Sequence, residues 1–202
     1  MAIVTVRGQL GSGAPEIGKL IADKLHADYI DREIIAKVAE LLNSREEAVI
    51  EKEMPPGSLL GRVATILRHI PSFNIDLSER EKGISYPKGL KIIIEELALN
   101  QPIVIRGRGA QFILKHWPGA LHVLFVSPLK LRMRRVMLDM KIEETDAKNE
   151  IARFDNSRRE FIKKYFKAEL EDPQYYDLVI NTGRMSFEAA ASIVVNTLPL
   201  KN

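Results

Sequence analysis

The first 25 residues have the pattern of a short apolar strand, a glycine-rich turn and an amphipathic helix. Glycine in such a turn permits a positive φ and a close approach of the backbone to a ligand. The turn leads into a helix N-terminus, whose unpaired N–H groups favour an anion. The segment therefore predicts a phosphate-binding loop, whose cradle consists of Gly8, Gly11, Ser12, Gly13 and Ala14.

Gly8 and Gly13 have the spacing of the two glycines in the usual nucleotide-binding loop, but the two residues after Gly13 differ from that loop. Ala14 stands where that loop has a lysine, and Pro15 stands where it has Ser or Thr. The lysine would contact the β- and γ-phosphates, and the hydroxyl would bind Mg²⁺. Arg106 could supply the missing positive charge, whereas Lys19 lies more than a turn into the helix. The sequence identifies no protein ligand for a metal.

Apolar strand segments alternate with helical segments along the rest of the chain. Leu121–Val126 is almost wholly apolar, as a central parallel strand that is buried on both faces should be. This alternation predicts an α/β fold in which helices flank a parallel sheet. The expected strands are 3–6, 29–30, 103–105, 121–126 and 178–180, and Ser186 is expected to cap the last helix.

A chain of 202 residues fits a single α/β domain with an insertion. The region at about 44–88 interrupts the alternation without adding a strand, and Pro55-Pro56-Gly57 breaks the chain there. We interpret this region as an inserted lid or acceptor-binding subdomain. A helical surface or a dimer contact is the alternative for the insertion, and the sequence leaves a homo-oligomer open.

Composition excludes several classes of protein. The chain has no cysteine, so disulfides and thiolate metal sites are excluded, and its formal net charge is only +3. The first strand begins almost at once, and no apolar run is long enough to span a bilayer. We therefore expect a cytoplasmic protein with no membrane partner.

Several short motifs, in order along nearly the whole chain, resemble the cytidylate kinase-like family of P-loop proteins. These motifs are 8–13, 29–35, Gly107-Arg108-Gly109-Ala110, Arg132-x-x-Arg135, Asp155-x-x-Arg158 and 176–182. The resemblance implies a three-layer P-loop NTPase fold, with a helical acceptor-binding insertion at about 44–88 and an arginine-bearing lid at about 128–166. It also implies transfer of the ATP γ-phosphoryl group to a pyrimidine nucleoside monophosphate such as CMP, with Mg²⁺ expected from the reaction class.

The resemblance also assigns roles to individual residues. Arg108, Arg132 and Arg135 are similar to the catalytic arginines that neutralise phosphate charge. The acceptor would be bound by Asp31, Arg32, Arg108, Asp155 and Arg158. Simpler interpretations remain open: an N-cap for Asp31, a solvated basic face for the lid arginines, and a surface ion pair for Asp155 with Arg158.

Two other functions remain as alternatives. The loss of the loop lysine and hydroxyl is typical of a catalytically silent nucleotide-binding or sensor protein that keeps the fold. A nucleic-acid binder would use the arginine-rich helices between Arg132 and Arg159. We do not expect nucleic acid as the partner, because acidic residues such as Asp139 and Glu143 lie among those arginines and no aromatic stacking platform is evident.

Overall fold

The computed structural model of the chain describes residues 2–31 and 86–198. The chain divides into two compact units, one made of residues 1–29 and 101–202 and the other of residues 30–100. Arg32 and nearly all of the expected insertion at 44–88 lie outside the described residues. In the described part of the chain, no helix is long and apolar enough to cross a membrane.

Strands and helices alternate as the sequence predicts. The strands are β1 (Ile3–Gly8), β2 (Asp28–Ile30), β3 (Ile103–Arg106), β4 (Ala120–Val126) and β5 (Leu178–Asn181). The helices are α1 (Ala14–Leu25), α2 (Tyr86–Asn100), α3 (Ala110–Ile113), α4 (Leu129–Met140), α5 (Glu144–Phe166) and α6 (Phe187–Thr197), and a 3₁₀ turn spans Pro173–Tyr175. The sequence did not predict α3 or the 3₁₀ turn, both of which are only one turn long.

The five strands form one sheet in the order β2-β3-β1-β4-β5. β1 pairs in parallel with both β3 and β4, and β4 pairs in parallel with β5. Val6 lies opposite Arg106 of β3, and Gly8 lies opposite Phe125 of β4. The carboxyl ends of these strands therefore meet at one edge, which is where open α/β sheets bind their ligands.

The main core lies between one face of the sheet and helices α1 and α6. Side chains alternate along a strand, so Val4 and Val6 face this core, and Thr5 and Arg7 face the other side. On that other side Thr5 Oγ1 is 2.8 Å from His122 Nδ1. The main core includes Val4, Val6, Ile17, Ile21, Leu121, Val123, Phe125, Ala190, Ala191 and Val194.

Local sequence explains where α1 and α6 begin. Gly13 precedes α1 in the left-handed conformation, with φ at 84°, and proline and an acidic residue occupy the first turn. The expected Ser186 cap is confirmed, because its Oγ accepts a hydrogen bond from Ala189 N at 3.1 Å.

Helices α4 and α5 pack against each other beside the glycine loop. Val136 of α4 is buried with Ala147 and Ile151 of α5, and Leu10 of the loop packs on this cluster. A second cluster, near the end of α5, contains Ile162, Ala168 and Leu170. The region expected to form a lid is thus a helix pair that contacts the loop through Leu10.

Helix α2 belongs to the unit of residues 30–100. Its buried side chains Leu90, Ile93, Ile94 and Leu97 recur at helical spacing. Lys91 and Glu95 form an exposed ion pair one turn apart, at 3.8 Å. The apolar face and the charged face of α2 are therefore separated.

Candidate functional site

The turn between β1 and α1 is a compact loop held by its own backbone and by the neighbouring strand. Gln9 N donates to Phe125 O at 3.3 Å, and Ser12 N donates to Gln9 O at 3.0 Å. Gly11 and Gly13 have φ angles of 78° and 84°. Residues other than glycine rarely adopt this left-handed conformation, so the loop shape depends on these two positions.

Two neighbouring elements leave no room for a side chain on the loop glycines. A Cβ on Gly11 would lie 2.7 Å from the carbonyl oxygen of Arg132, and a Cβ on Gly13 would lie 2.2 Å from the Phe187 ring. Helices α4 and α6 therefore pack directly against the loop backbone. The glycines serve this packing as well as the turn geometry.

A buried ion pair between α4 and α5 fixes the middle of the loop. Arg132 Nη1 donates to Asp155 Oδ2 at 2.6 Å and to Leu10 O at 3.3 Å. Leu10 N donates to the second carboxylate oxygen, Asp155 Oδ1, at 3.1 Å. Only 10% and 5% of the two side chains are exposed. One ion pair thus satisfies both backbone polar groups of Leu10.

Arg135 connects the loop to the end of β5. Its Nη1 donates to Gly11 O at 3.1 Å and to Thr182 Oγ1 at 3.2 Å, and its Nη2 donates to Thr182 O at 3.0 Å. Thr182 Oγ1 in turn donates to Ser12 O at 2.7 Å. The guanidinium carbon also lies 4.9 Å from the centre of the Phe187 ring. Arg135 and Thr182 therefore bind the carbonyl oxygens of Gly11 and Ser12.

A cavity of about 440 Å³ opens in front of this loop. That volume is in the range of small-molecule sites. Its charged lining residues are Arg106, Arg135, Arg158, Glu16 and Asp139. The remaining lining residues are Gly8, Gln9, Leu10, Gly11, Gly13, Ala14, Pro15, Val136, Leu138, Met140 and Phe187. The three guanidinium groups outnumber the two carboxylates, and the cavity lies next to the N-terminus of α1. Both features favour an anionic ligand.

All three cavity arginines come from elements far from the loop in sequence, and Arg135 is 124 residues from Gly11. Arg106 is the last residue of β3. It pairs with Val6 of the neighbouring strand β1, and Val6 is two residues before Gly8 of the loop. Arg158, on α5, stacks on Phe154 with its guanidinium carbon 3.4 Å from the ring centre. Positive charge at the cavity thus comes from a strand end and from α4 and α5.

Arg108 has a strained backbone at the end of the neighbouring strand. Its φ is 53°, between Gly107 at 84° and Gly109 at 75°. A left-handed conformation costs a residue with a side chain about 1–2 kcal/mol, and such strain concentrates at functional sites. The guanidinium carbon lies 5.9 Å from the centre of the Phe161 ring. A strained arginine at the ligand-binding edge of the sheet is a candidate for substrate contact.

The structure brings together only part of the set expected from the sequence. Gly8, Gly11, Gly13 and Ala14 line the cavity with Arg135 and Arg158, whereas Ser12 is fully buried behind it. Arg108, Arg132 and Asp155 are not among the lining residues. Asp31 belongs to the unit of residues 30–100, and Arg32 lies outside the described residues.

A surface ion pair between Asp155 and Arg158, the simpler alternative to their expected role in binding the acceptor, differs from the contacts that the structure shows for Asp155. Asp155 is buried, and its two carboxylate oxygens bind Arg132 and the Leu10 N–H group. Arg158 lines the cavity and stacks on Phe154. The i, i+3 spacing places both residues on one side of α5, but the contacts across to α4 and to the loop decide what each side chain does.

The cavity fits the phosphates of a nucleotide better than it fits a protein-bound metal. Bare loop backbone, a helix N-terminus and three guanidinium groups match phosphate oxygens. Over residues 2–31 and 86–198, no group of three or more acidic or histidine side chains is arranged to hold a metal ion. The lining of the cavity therefore matches phosphate oxygens.

A sequence model of the cytidylate kinase-like family matches residues 3–184, which include the loop, the sheet and helices α4 and α5. The chain belongs to the cytidylate kinase-like family. The match extends from β1 to the end of β5, so the loop that lacks the lysine is part of a whole family domain.

Among curated relatives, a cytidylate kinase from Methanocaldococcus jannaschii is 26% identical over 202 residues, covering 97% of each chain. A uronate isomerase from Corynebacterium glutamicum is 35% identical over 98 residues, which are 48% of this chain and 19% of that relative. The chain therefore spans about a fifth of the isomerase. Membership of the family rests on the match to its model and on the full-length kinase relatives.

Solved structures have the same fold. An uncharacterized protein from Eubacterium ventriosum has a TM-score of 0.73 at 17% identity, covering 98% of this chain and 99% of that one. A shikimate kinase from Bacteroides thetaiotaomicron has a TM-score of 0.50 at 16% identity, covering 98% of both chains. At such identities these likenesses show the three-layer P-loop kinase fold alone.

Sequence reasoning missed two residues that shape this cytidylate kinase-like site. Thr182 and Phe187 follow β5 and contact the loop through Ser12 and Gly13. Thr182 ends the 176–182 motif and directly follows the last strand, at the edge where ligands bind, but the sequence alone assigned it no role at the site. Thr182 is 170 residues from its partner Ser12 in sequence, so spacing alone could not identify the contact.

The buried ion pair gives the first testable prediction. Changing Arg132→Met leaves the Asp155 carboxylate buried without its counterion, so the free energy of unfolding should fall by about 3–5 kcal/mol. The double variant Arg132→Met/Asp155→Leu removes both charges and should recover most of that loss. Equilibrium urea unfolding measures all three proteins.

The matched control is Arg153→Met, which breaks the exposed ion pair with Glu150 and should leave the unfolding midpoint unchanged. A double variant as unstable as Arg132→Met alone would contradict the prediction, because the cost would then not come from an uncompensated charge.

Backbone strain at Arg108 gives the second prediction. Arg108→Gly and Arg108→Ala remove the same guanidinium group, but only glycine removes the left-handed strain. We expect the glycine variant to be more stable than the alanine variant by about 1 kcal/mol. Thermal unfolding of the two variants measures this difference, and equal midpoints would show that Arg108 carries no strain.

Proposed function

We propose that this chain is a nucleoside monophosphate kinase that transfers the γ-phosphoryl group of ATP to a pyrimidine nucleoside monophosphate such as CMP. The observation that carries the proposal is the cavity at the glycine loop, where Arg106, Arg135 and Arg158 face a helix N-terminus. Membership of the cytidylate kinase-like family supports the same reaction class. The cytoplasmic location expected from the sequence is part of this proposal.

The loop and its arginines would bind the donor. Gly8, Gly11, Gly13 and Ala14 expose backbone to the cavity, as a phosphate cradle requires. Arg106 would replace the absent lysine, because it reaches the same cavity from the end of β3. A guanidinium stays charged at cellular pH and can bind two phosphate oxygens at once, so it suits this role.

Arg132 and Asp155 would act differently from the roles that the resemblance gave them. Both are committed to each other and to Leu10, so we assign them the role of positioning residues that fix the loop. Arg135 also holds the loop through Gly11, while it lines the cavity. Arg158 would contact the transferring phosphate from α5.

The acceptor would lie beside the donor at the same edge of the sheet. Arg108, in its strained turn after β3, is the proposed contact to the acceptor phosphate. Asp31 and Arg32 remain proposed contacts to the acceptor nucleoside. Phosphoryl transfer needs positioning and neutralisation of charge rather than covalent chemistry, and arginines that are already held in place supply both.

A catalytically silent nucleotide-binding or sensor protein of the same fold is the second candidate. The observations that favour it are Ala14 and Pro15 in place of the lysine and the hydroxyl residue. Loss of one charge contact in the transition state commonly lowers a rate by about 100-fold or more. This candidate binds ATP without transferring its phosphoryl group.

A coupled assay of ADP release tests the proposal. ATP and Mg²⁺ are supplied with a panel of nucleoside monophosphates, and we expect ADP release that depends on the acceptor. Arg106→Met should lower kcat by about 100-fold, since a charge contact to the transferring group is lost. Arg108→Ala should lower acceptor-dependent turnover sharply, because the acceptor phosphate loses its proposed contact.

The matched control is Arg134→Met, because Arg134 is exposed on α4 next to Arg135 and does not line the cavity. Its turnover should stay within about twofold of the parent, because the side chain is exposed and lies outside the cavity lining. Calorimetric binding of ATP with no ADP release for any acceptor would contradict the kinase proposal and favour the silent protein.

A further inference from the structure

Thr182 is a buried threonine that binds both the glycine loop and one of the cavity arginines. It directly follows β5, and only 1% of it is exposed. Its Oγ1 donates to Ser12 O at 2.7 Å, whereas Val126 O is the more distant acceptor at 3.4 Å. A hydroxyl has a single proton, so the contact of Oγ1 with Arg135 Nη1, at 3.2 Å, is one in which Oγ1 accepts. The hydroxyl therefore joins Arg135 to the loop backbone in a fixed orientation.

The contacts of Thr182 decide which edge of the Arg135 guanidinium remains available. Nη1 donates to Thr182 Oγ1 at 3.2 Å and Nη2 donates to Thr182 O at 3.0 Å, so two oxygens of one residue bind the end of the planar group. Nη1 also donates to Gly11 O at 3.1 Å and lies 3.5 Å from Ser127 Oγ. The five N–H donors of a guanidinium lie in one plane, so Nε–H and the second N–H of Nη2 form a parallel pair on its remaining side.

This remaining edge of Arg135 is open to a ligand. Over residues 2–31 and 86–198, no protein group accepts a hydrogen bond from Arg135 Nε. Nε is not one of the fully buried polar atoms that lack a partner, so it is accessible, and Arg135 lines the glycine-loop cavity. Two parallel N–H donors match two oxygens of one phosphate group. The accessible edge of Arg135 is thus suited to a bidentate phosphate contact.

The same contacts bind two successive carbonyl groups of the loop. Gly11 O accepts a hydrogen bond from Arg135 Nη1 at 3.1 Å, and Ser12 O accepts one from Thr182 Oγ1 at 2.7 Å. The partial negative charge of a carbonyl oxygen that faced the cavity would repel a phosphate group. Hydrogen bonds from Arg135 and Thr182 offset that charge, so they favour an anion at the loop.

We propose that Thr182 is a positioning residue for phosphate binding, which holds Arg135 so that its Nε–Nη2 edge meets the phosphates of a nucleotide in the glycine-loop cavity. The Thr182 hydroxyl also fixes Ser12 O, so one side chain sets the arginine and the loop backbone together. Thr182 acts through these two groups, because it is buried and does not line the cavity. The proposal rests on the proposed function only in taking a nucleotide as the ligand, and it does not require phosphoryl transfer.

Calorimetric titration of the full-length protein with ADP and with inorganic pyrophosphate tests this role. Thr182→Val keeps the branched shape of the side chain but removes the hydroxyl, so both ligands should bind about 10-fold more weakly. Thr182→Ser keeps the hydroxyl, and its affinities should stay within about twofold of the parent. The matched control is Thr197→Val, because Thr197 Oγ1 donates to Ile193 O within α6 and Thr197 does not line the cavity. This control should leave both affinities unchanged.

A spectroscopic measurement separates positioning from a purely structural role. The Arg135 Nε–H signal in a ¹H–¹⁵N spectrum, assigned by its disappearance in Arg135→Lys, should shift when pyrophosphate is added to the parent or to Thr182→Ser. The shift should be smaller in Thr182→Val, even at saturating pyrophosphate, because the guanidinium is no longer held at its end. The measurement on the parent tests the open edge of Arg135 even if Thr182→Val does not fold.

Four results would overturn the positioning role. They are equal affinities of Thr182→Val and the parent, binding by Thr182→Ser as weak as by Thr182→Val, a parent Arg135 Nε–H signal that pyrophosphate leaves unchanged, and a parent that binds neither ligand. ADP binding that depends on the Thr182 hydroxyl supports the role even if the coupled assay shows no ADP release. Acceptor-dependent ADP release with unchanged affinities in Thr182→Val would instead support the kinase and overturn the role, so the two failures are distinguishable.

Discussion

The buried ion pair between Arg132 and Asp155 is the interaction on which the rest of the site depends. It joins α4 to α5 and holds both backbone polar groups of Leu10, in the middle of the glycine loop. A loop rich in glycine gains much freedom when it is not constrained, so such a loop needs external support to keep one shape. An ion pair removed from water supplies that support where a lost partner would be costly.

In this arrangement, positive charge reaches the cavity although the loop has Ala14 and Pro15 in place of a lysine and a hydroxyl residue. A lysine in the loop would carry its charge on the same segment that binds the phosphates. Here the charges at the cavity lie on Arg106, Arg135 and Arg158, which come from β3, α4 and α5. Hydrogen bonds from Arg132, Asp155, Arg135 and Thr182 fix the loop backbone, and the arginines that line the cavity lie on the surrounding elements. Charge and cradle are thus supplied by different parts of the chain.

Sequence alone predicted the fold well and the site unevenly. Strand alternation, the glycine turn and the Ser186 cap are local patterns, and the structure confirms the parallel sheet and the cap. The contacts of Asp155 could not be predicted, because its partner Leu10 lies 145 residues away and the i, i+3 spacing to Arg158 suggested a nearer one.

The central claim has two parts. The Arg132–Asp155 pair holds the loop in one shape through Leu10, and the backbone of Gly11, Gly13 and Ala14 binds the phosphates. Hydrogen exchange of the loop amides, followed by NMR with and without ADP, tests this claim most directly. The account predicts that the Leu10 amide is protected in both states, and that ADP shifts the signals of Gly11, Gly13 and Ala14. Rapid exchange at Leu10 without ADP, or loop signals that ADP leaves unchanged, would contradict it.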